Sequence, residues 1–402
     1  MNNKIRVFVA NKKNIILIYF LFALIASVQA LLGGRSSFEK GGIEHNNYNN
    51  YDIFENSFYH LIEQKDLYIL YPYEHWDLFK YSPSFAAFFG VFSIFPDWIG
   101  LPLWTLLNSF VLLFAIYYLP KLNSYQQGLI LLIILIELLT SLQNQQSNGL
   151  MAGLFILSFG LAEKRKFFLA SLFLVTTVFI KLFGIVGFAL FLFYPQKWKL
   201  ALYTLISSLI LFLIPLLFID FEQYLFLLKS YANMLSNDYS ISYGFSVMGW
   251  LFTWFGLEFD KMAIVLLGAF IFLLPFLKIK NYKDDIFRIL ALTSILIWVV
   301  IFNHKAESPT FIIAMSGVAI WFVISEKSKV NILLFSLAFV FTSLSPTDLF
   351  PKIIRDNFVI PYTLKAVPCI LIWLKIIYDM IALKPNTIEN KSSFSLDSEK
   401  RI

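Results

Sequence analysis

Long apolar segments, separated by short polar breaks, occupy most of this 402-residue chain. Hydrophobic residues make up 58% of it and charged residues only 14%, so a water-facing shell cannot cover the rest. The apolar segments are rich in Leu, Ile and Phe and lack the strict alternation that is typical of membrane-barrel strands. The sequence therefore predicts an all-α polytopic membrane protein.

Basic residues cluster in the breaks, which indicates membrane orientation rather than nucleic-acid binding. The clusters are Lys4 to Lys13 and residues 164–166, 197–199, 278–283, 327–329 and 400–401. The positive-inside rule places them in the cytoplasm. Residues 34–81 carry eight Asp or Glu against four Lys or Arg, and residues 220–261 are also net acidic, so both are predicted to be extracytoplasmic.

Alternation of these breaks predicts a bundle of about 12 transmembrane helices, with both termini in the cytoplasm and a long first extracytoplasmic loop. Two apolar pieces within residues 125–162 flank a Gln/Asn-rich turn, and neither reads as long enough to span. We expect one of them to be a re-entrant or interfacial helix. The predicted organisation is one transmembrane domain over residues 1–383, with residues 34–81 as its catalytic loop, and a disordered cytoplasmic tail over residues 384–402.

Asp52 in the first loop lies near an apolar boundary, and a carboxylate there suits a general base that deprotonates a hydroxyl. The alternative is a solvated or helix-capping Asp. The rival carboxylates in the same loop are Glu55, Asp66, Glu74 and Asp77.

Cationic residues stand at two other boundaries on the predicted outer face. Lys181 lies between two apolar runs, where an ammonium either binds phosphate or snorkels to the interface. His304, Lys305 and Glu307 share a very short loop, which suits a phosphate ligand or an interfacial ion pair. With one cysteine and no H-x-x-H spacing, the sequence predicts neither a metal site nor a cofactor.

Several short motifs follow one another along the chain. They are Tyr51-Asp52, Asp66-Leu67-Tyr68, Lys80-Tyr81-Ser82-Pro83, Gln146-Ser147-Asn148, Ile180-Lys181, Tyr243-Gly244-Phe245-Ser246 and Phe302-Asn303-His304. Over about residues 14–383, this order resembles glycosyltransferase family 87 of the GT-C superfamily, which includes bacterial mannosyltransferases. The chain departs from the family pattern at Gln145, where Gly is frequent, and at Leu182, where Pro is common.

The resemblance implies an enzyme of the inner membrane that moves a hexose such as mannose from a polyprenyl-phosphate carrier to an extracytoplasmic glycolipid or envelope glycan, with inversion. Asp52 would be the base and His304 would contact the donor phosphate. The other implied substrate-binding residues are Lys181, Lys305, Glu307, Gln146, Asn148, Lys80 and Tyr81. The alternatives are a transporter or flippase of a lipid-linked sugar, which would need a continuous polar path, or another GT-C enzyme.

Overall fold

A computed structural model describes residues 3–37, 42–237 and 242–384. The predicted all-α class is confirmed, because helices dominate the described part of the chain. Within it, the one sheet is a short antiparallel pair in the first loop, formed by β1 (Arg35–Ser37) and β2 (Glu44–Asn46). Nearly all of the tail predicted to be disordered, residues 385–402, lies outside the described residues.

The first half of the chain is built from helices of very different length. The α-helices are α1 (Asn3–Ala10), α2 (Lys12–Leu32), α3 (Asn49–Ile62), α4 (Pro83–Ser93), α5 (Asp97–Tyr118), α6 (Ser124–Gln143), α7 (Asn148–Glu163), α8 (Phe167–Ile180) and α9 (Lys197–Leu213). Two 3₁₀ helices, Leu182–Phe193 and Ile214–Leu217, interrupt or extend this series.

The second half is more irregular. Its α-helices are α10 (Phe221–Asn237), α11 (Val247–Phe255), α12 (Lys261–Leu273), α13 (Asp285–Ile301), α14 (Phe311–Ile324), α15 (Lys329–Leu337), α16 (Lys352–Ile354) and α17 (Val367–Ala382). The 3₁₀ helices are Leu274–Leu277, Ile279–Lys283 and Ser308–Thr310, and the π-helical turns are Ala338–Leu344 and Arg355–Val359.

Four helical segments in the described chain are long and apolar enough to cross a membrane: Lys12–Leu32, Asp97–Tyr118, Ser124–Gln143 and Lys197–Leu217. The other apolar helices have 10–17 residues. The predicted count of about 12 crossings is therefore not confirmed. The charge alternation predicts several further crossings. The helices at those places have fewer residues than a helix perpendicular to the membrane needs to cross it.

The prediction for residues 125–162 was wrong in one respect, because α6 is itself a candidate span of 20 residues. Asn123 and Gln126 form a reciprocal capping box, so the helix begins at Ser124, within polar sequence. Buried Gln127 also belongs to the helix, and its amide donates to the Tyr117 carbonyl at 3.2 Å. The hydrogen bonds of these polar residues allow the helix to begin before the apolar run does. The helix is therefore longer than the apolar run in the sequence suggests.

Helices α2, α5, α6 and α7 pack closely and orient the turn between α6 and α7. Ser27 and Thr105 share a hydrogen bond of 2.6 Å between α2 and α5. The Tyr19 hydroxyl donates to the Leu131 carbonyl at 2.9 Å, which joins α2 to α6. A Cβ at Gly153 would lie 2.8 Å from the Leu112 nitrogen, so glycine permits the close approach of α5 and α7.

Candidate functional site

A cavity of about 720 Å³ lies where several helices end. Its wall is formed by the start of α3, the loop segment 76–81, the turn 144–146, residues 181–183, α10 and the loop 303–310. Seven of the residues predicted to bind substrate line it: Lys80, Tyr81, Gln146, Lys181, His304, Lys305 and Glu307. The structure thus brings together motifs that are far apart in the sequence.

The Lys80–Pro83 motif reaches the cavity because Ser82 begins α4. The Ser82 hydroxyl accepts from the Phe85 amide at 3.2 Å and donates to the Phe179 carbonyl at 2.5 Å. The second bond attaches the motif to the last turn of α8, directly before Lys181. As a result, the Lys181 ammonium lies 5.7 Å from the centre of the Tyr81 ring, within the range of a cation–π contact.

A chain of hydrogen bonds crosses the cavity floor from a cation to an anion. The Lys181 Nζ donates to Asn148 Oδ1 at 2.9 Å, and Asn148 Nδ2 donates to Gln146 Oε1 at 2.6 Å. Gln146 Nε2 then donates to Glu307 Oε2 at 3.0 Å. Lysine can only donate and a carboxylate can only accept, so both amides have one orientation that satisfies the chain. Asn148 is fully buried behind the wall, where it orients Lys181 and Gln146.

Lys181, His304 and Lys305 all border the cavity, and so does Lys80, which is paired with Asp77 at 3.1 Å. Lysine and histidine side chains gathered in one concave site suit a ligand with negatively charged oxygens. The cavity also contains the exposed carboxylate of Asp77 and that of Glu307, so its wall carries side chains of both charges.

The Tyr243–Ser246 motif supports the site from behind and is not part of the cavity wall. The Phe245 amide donates to the Ala306 carbonyl at 2.9 Å. Gly244 has a φ of +55°, and a Cβ there would lie 2.7 Å from the His304 carbonyl oxygen. Only glycine fits this contact without displacing the loop that carries His304.

Asp52 belongs to α3 but does not line the cavity. The lining residues of this helix are Asn49, Asn50, Ile53 and Phe54, and at about 100° per residue Asp52 lies on the side turned away from them. Its side chain is only 5% exposed and accepts from Asn46 Nδ2 at 3.1 Å. The role of Asp52 as the base stays a prediction.

Asp52, Glu55 and Asp97 form a carboxylate cluster with oxygen atoms within 4.8 Å of one another. Burial raises the pKa of Asp52 to about 7, although the hydrogen bond from Asn46 opposes the shift. Burial, with the charges of Asp97 and Asp52, raises the pKa of Glu55 to about 8. Carboxylate oxygens are ligands that Mg²⁺ and Ca²⁺ prefer, so these three residues could hold a divalent cation, whereas the sequence predicts no metal.

Some wall residues were not identified as site residues from the sequence. They are Asn47, Asn49, Asn50, Trp76, Tyr231 and Thr310. The run of Asn residues before Tyr51 was a usable signal, because amide side chains bind sugar hydroxyls well. Tyr231 lies on α10 and carried no such signal, since its distance from the other motifs in the sequence is large.

This fold and this site define a class of protein: a helical membrane protein with a polar cavity at its helix ends that is bordered by lysine side chains. The model of glycosyltransferase family 87 matches residues 79–302, which is more than half of the chain. The chain therefore belongs to glycosyltransferase family 87 and is a membrane glycosyltransferase. Membership in the GT-C superfamily fits this assignment. A comparison with curated proteins finds no match.

The matched range is shorter than residues 14–383, over which the sequence resembles the family. It includes the cavity residues Lys80, Tyr81, Gln146 and Lys181. Asp52 precedes the matched range, and the loop with His304, Lys305 and Glu307 follows it. The family match therefore covers the segments that carry some of the cavity residues, and the others join them only by proximity in the structure.

Proposed function

We propose that this protein transfers a hexose such as mannose from a polyprenyl-phosphate carrier to an extracytoplasmic glycolipid or envelope glycan. The observation that carries the proposal is the grouping of Lys181, His304 and Lys305 around one cavity, since a leaving lipid phosphate is stabilised by cations and hydrogen-bond donors at the point where charge develops. The acceptor oxygen attacks the anomeric carbon as the phosphate leaves, which inverts the configuration at that carbon.

The cavity wall offers different chemical groups to the two substrates. Amide and aromatic side chains at Asn49, Asn50 and Trp76 supply hydrogen bonds and a flat apolar face, which suit a neutral sugar. The cations lie on other wall segments, around residues 181 and 303–305. The donor phosphate is assigned to the cationic part and the acceptor to the amide-rich part.

Asp52 is the proposed base, and its raised pKa near 7 suits proton transfer at neutral pH. Because its carboxylate faces away from the main cavity, an acceptor held in the amide-rich part would have to extend a hydroxyl past Asn46 and Asn47 to reach it. Asn47 borders both the main cavity and a smaller cavity of about 230 Å³. The rival bases are Asp77 and Glu307, which line the main cavity.

The direct test uses purified protein in detergent with a synthetic polyprenyl-phosphate hexose and mass spectrometry of the product. Lys181→Met and His304→Ala should each raise the apparent KM for the donor about 10- to 100-fold, because a charge-assisted hydrogen bond contributes about 1.5 to 3 kcal/mol. Lys199→Met, an exposed lysine remote in sequence from every wall segment, is the control and should behave like the wild type. Unchanged donor dependence in both cavity variants would refute the phosphate assignment.

The second candidate is a transporter or flippase of a lipid-linked sugar. The observation in its favour is a fully buried ion pair between Glu137 and Lys365, which places charged groups among the helices outside the cavity wall. The same assay separates the two functions, because detergent removes the compartments and only an enzyme forms a new glycosidic bond. Binding of the donor without any transferred product, over a panel of glycolipid acceptors, would favour transport.

A further inference from the structure

A buried ion pair lies outside the cavity and takes no part in the proposed chemistry. Lys365 Nζ lies 2.7 Å from Glu137 Oε1, and the two side chains are 2% and 0% exposed. Lys365 also donates to the Thr342 carbonyl at 2.8 Å, while the Thr342 hydroxyl donates to the Lys365 carbonyl at 2.7 Å. The pair therefore joins α6 to two irregular segments, the π-helical turn Ala338–Leu344 and the turn before α17.

The pair is not the arrangement that stability alone favours. Glu137 Oε2 has no hydrogen-bond partner in the described structure, and neither do the buried hydroxyls of Ser141 and Ser343 nearby in the sequence. A buried ion pair with unused polar atoms is often no more stabilising than apolar side chains of the same size. The pair therefore matters through the relative position that it imposes on the elements it joins.

Both partners lead directly to the cavity. Glu137 is on α6, and the residues that follow this helix, Asn144 to Gln146, line the cavity about 10 Å further along the axis at 1.5 Å per residue. Lys365 Nζ lies 5.1 Å from the centre of the Phe311 ring. Phe311 directly follows Thr310, which ends the cavity loop 303–310.

A second connection runs from the Lys365 turn to the same loop. The Trp254 indole donates to the Tyr362 carbonyl at 2.7 Å, so α11 is attached to this turn. The residues just before α11, Gly244 and Phe245, pack on the backbone of His304 and Ala306. The turn before α17 therefore supports the cavity loop both through Phe311 and through α11.

We propose that Glu137 and Lys365 are a positioning pair, which fixes the place of the 303–310 loop relative to the 144–146 turn. The two segments meet at the hydrogen bond from Gln146 to Glu307, which closes the chain across the cavity floor. The ion pair holds α6 and the Lys365 turn at a fixed separation, and the loop follows that separation. Its catalytic consequence rests on the proposed function, whereas its structural consequence does not.

Hydrogen–deuterium exchange on the full-length protein in detergent tests the structural consequence. The double variant Glu137→Met/Lys365→Met removes both charges with side chains of similar length. Amide exchange in residues 303–310 and 144–146 should become at least about tenfold faster, because the local opening is less restrained. Exchange in α2 and α5 should stay as in the wild type.

The matched control is the pair formed by Glu163 and Arg288 at 2.7 Å, which joins the far end of α7 to the start of α13. Glu163→Met/Arg288→Met should leave exchange in residues 303–310 unchanged. Unchanged exchange in the first variant, or an equal increase in both variants, would overturn the proposal. Should Glu137→Met/Lys365→Met not fold, Glu137→Asp keeps both charges but shortens one side chain, and wild-type exchange in that variant would overturn it equally.

The catalytic consequence is read from the same variants. A displacement of about 1 Å in a reacting geometry can lower a rate about 100-fold. Glu137→Met/Lys365→Met should therefore lower kcat strongly, while Glu163→Met/Arg288→Met should not. Faster exchange with normal kcat would limit the pair to a structural role and refute the catalytic part. If the wild type transfers no sugar, the proposed function fails, and the exchange result still decides the positioning role.

Discussion

At the scale of single residues, three carboxylates in the first loop differ in what surrounds them. Asp52 is buried in the cluster with Glu55 and Asp97. Asp66 accepts from the Ser230 hydroxyl at 2.8 Å, which attaches the loop to α10. Asp77 lies at the cavity wall, more than half exposed and paired with Lys80. The same residue type thus has a candidate chemical role, a structural role and a surface position within one loop.

Asp52→Asn is expected to lower the rate of sugar transfer about 100-fold to 10,000-fold, because removal of a general base typically has that effect. Asp66→Asn and Asp77→Asn should cost far less. The measurement is product formation from the synthetic donor by purified variants of equal thermal stability. Near-normal transfer by Asp52→Asn would reject the assigned base, and a severe loss in Asp77→Asn would transfer the role to the cavity carboxylate.

The raised pKa values of the cluster predict how stability depends on pH. A carboxyl group in the unfolded chain has a pKa near 4, whereas the pKa is about 8 for Glu55 in the folded protein. The folded state therefore binds more protons between these values, and stability should fall as pH rises from about 4 to about 8. Glu55→Gln should show a smaller decrease in Tm between pH 5 and pH 8, and an equal decrease would contradict the assigned environment.

At the scale of secondary-structure elements, the turn between α6 and α7 decides how the cavity floor is built. Gln145 has a φ of +49°, in the left-handed region that favours glycine. This is the position at which the family pattern frequently has Gly. The buried Trp104 indole donates to the Gln145 carbonyl at 2.7 Å, and this contact fixes the turn against α5.

Substitution at Gln145 separates the backbone effect from the loss of the side chain. Gln145→Gly and Gln145→Ala both remove the amide, but only glycine adopts the left-handed conformation without strain. The alanine variant should therefore be less stable than the glycine variant by about 1 kcal/mol. The check is thermal unfolding of both variants in the same detergent. Equal stabilities would show that the surrounding contacts do not hold this φ in the left-handed region.

At the scale of the whole molecule, the prediction that needs a test is the orientation in the membrane, with the first loop outside and the basic clusters in the cytoplasm. Cysteine labelling is suited to it because the one native cysteine, Cys369, is buried. Tyr73→Cys replaces a residue that is 85% exposed in the first loop, and Trp198→Cys one that is 89% exposed beside a basic cluster. A membrane-impermeant maleimide should label the first in intact cells and the second only after permeabilisation. The reverse pattern would place the cavity on the cytoplasmic side.

Much of the architecture follows from local sequence. A run of apolar residues without polar breaks and without strand-like alternation can satisfy its backbone in a membrane only as a helix, so the helical class was predictable. The candidate cations were also predictable, because Lys181 and His304 each stand at the end of an apolar run. Helix ends on one side of a bundle are close in space even when they are far apart in sequence.

Only the tertiary structure decided which side chains meet. Glu137 and Lys365 are 228 positions apart, and nothing local in either segment indicates the other. The direction in which the Asp52 side chain points likewise depends on how α3 packs. One side of this helix lines the cavity, and another side faces Asp97. Helix formation is governed by neighbouring residues in the chain, whereas pairing across a bundle depends on packing between distant segments.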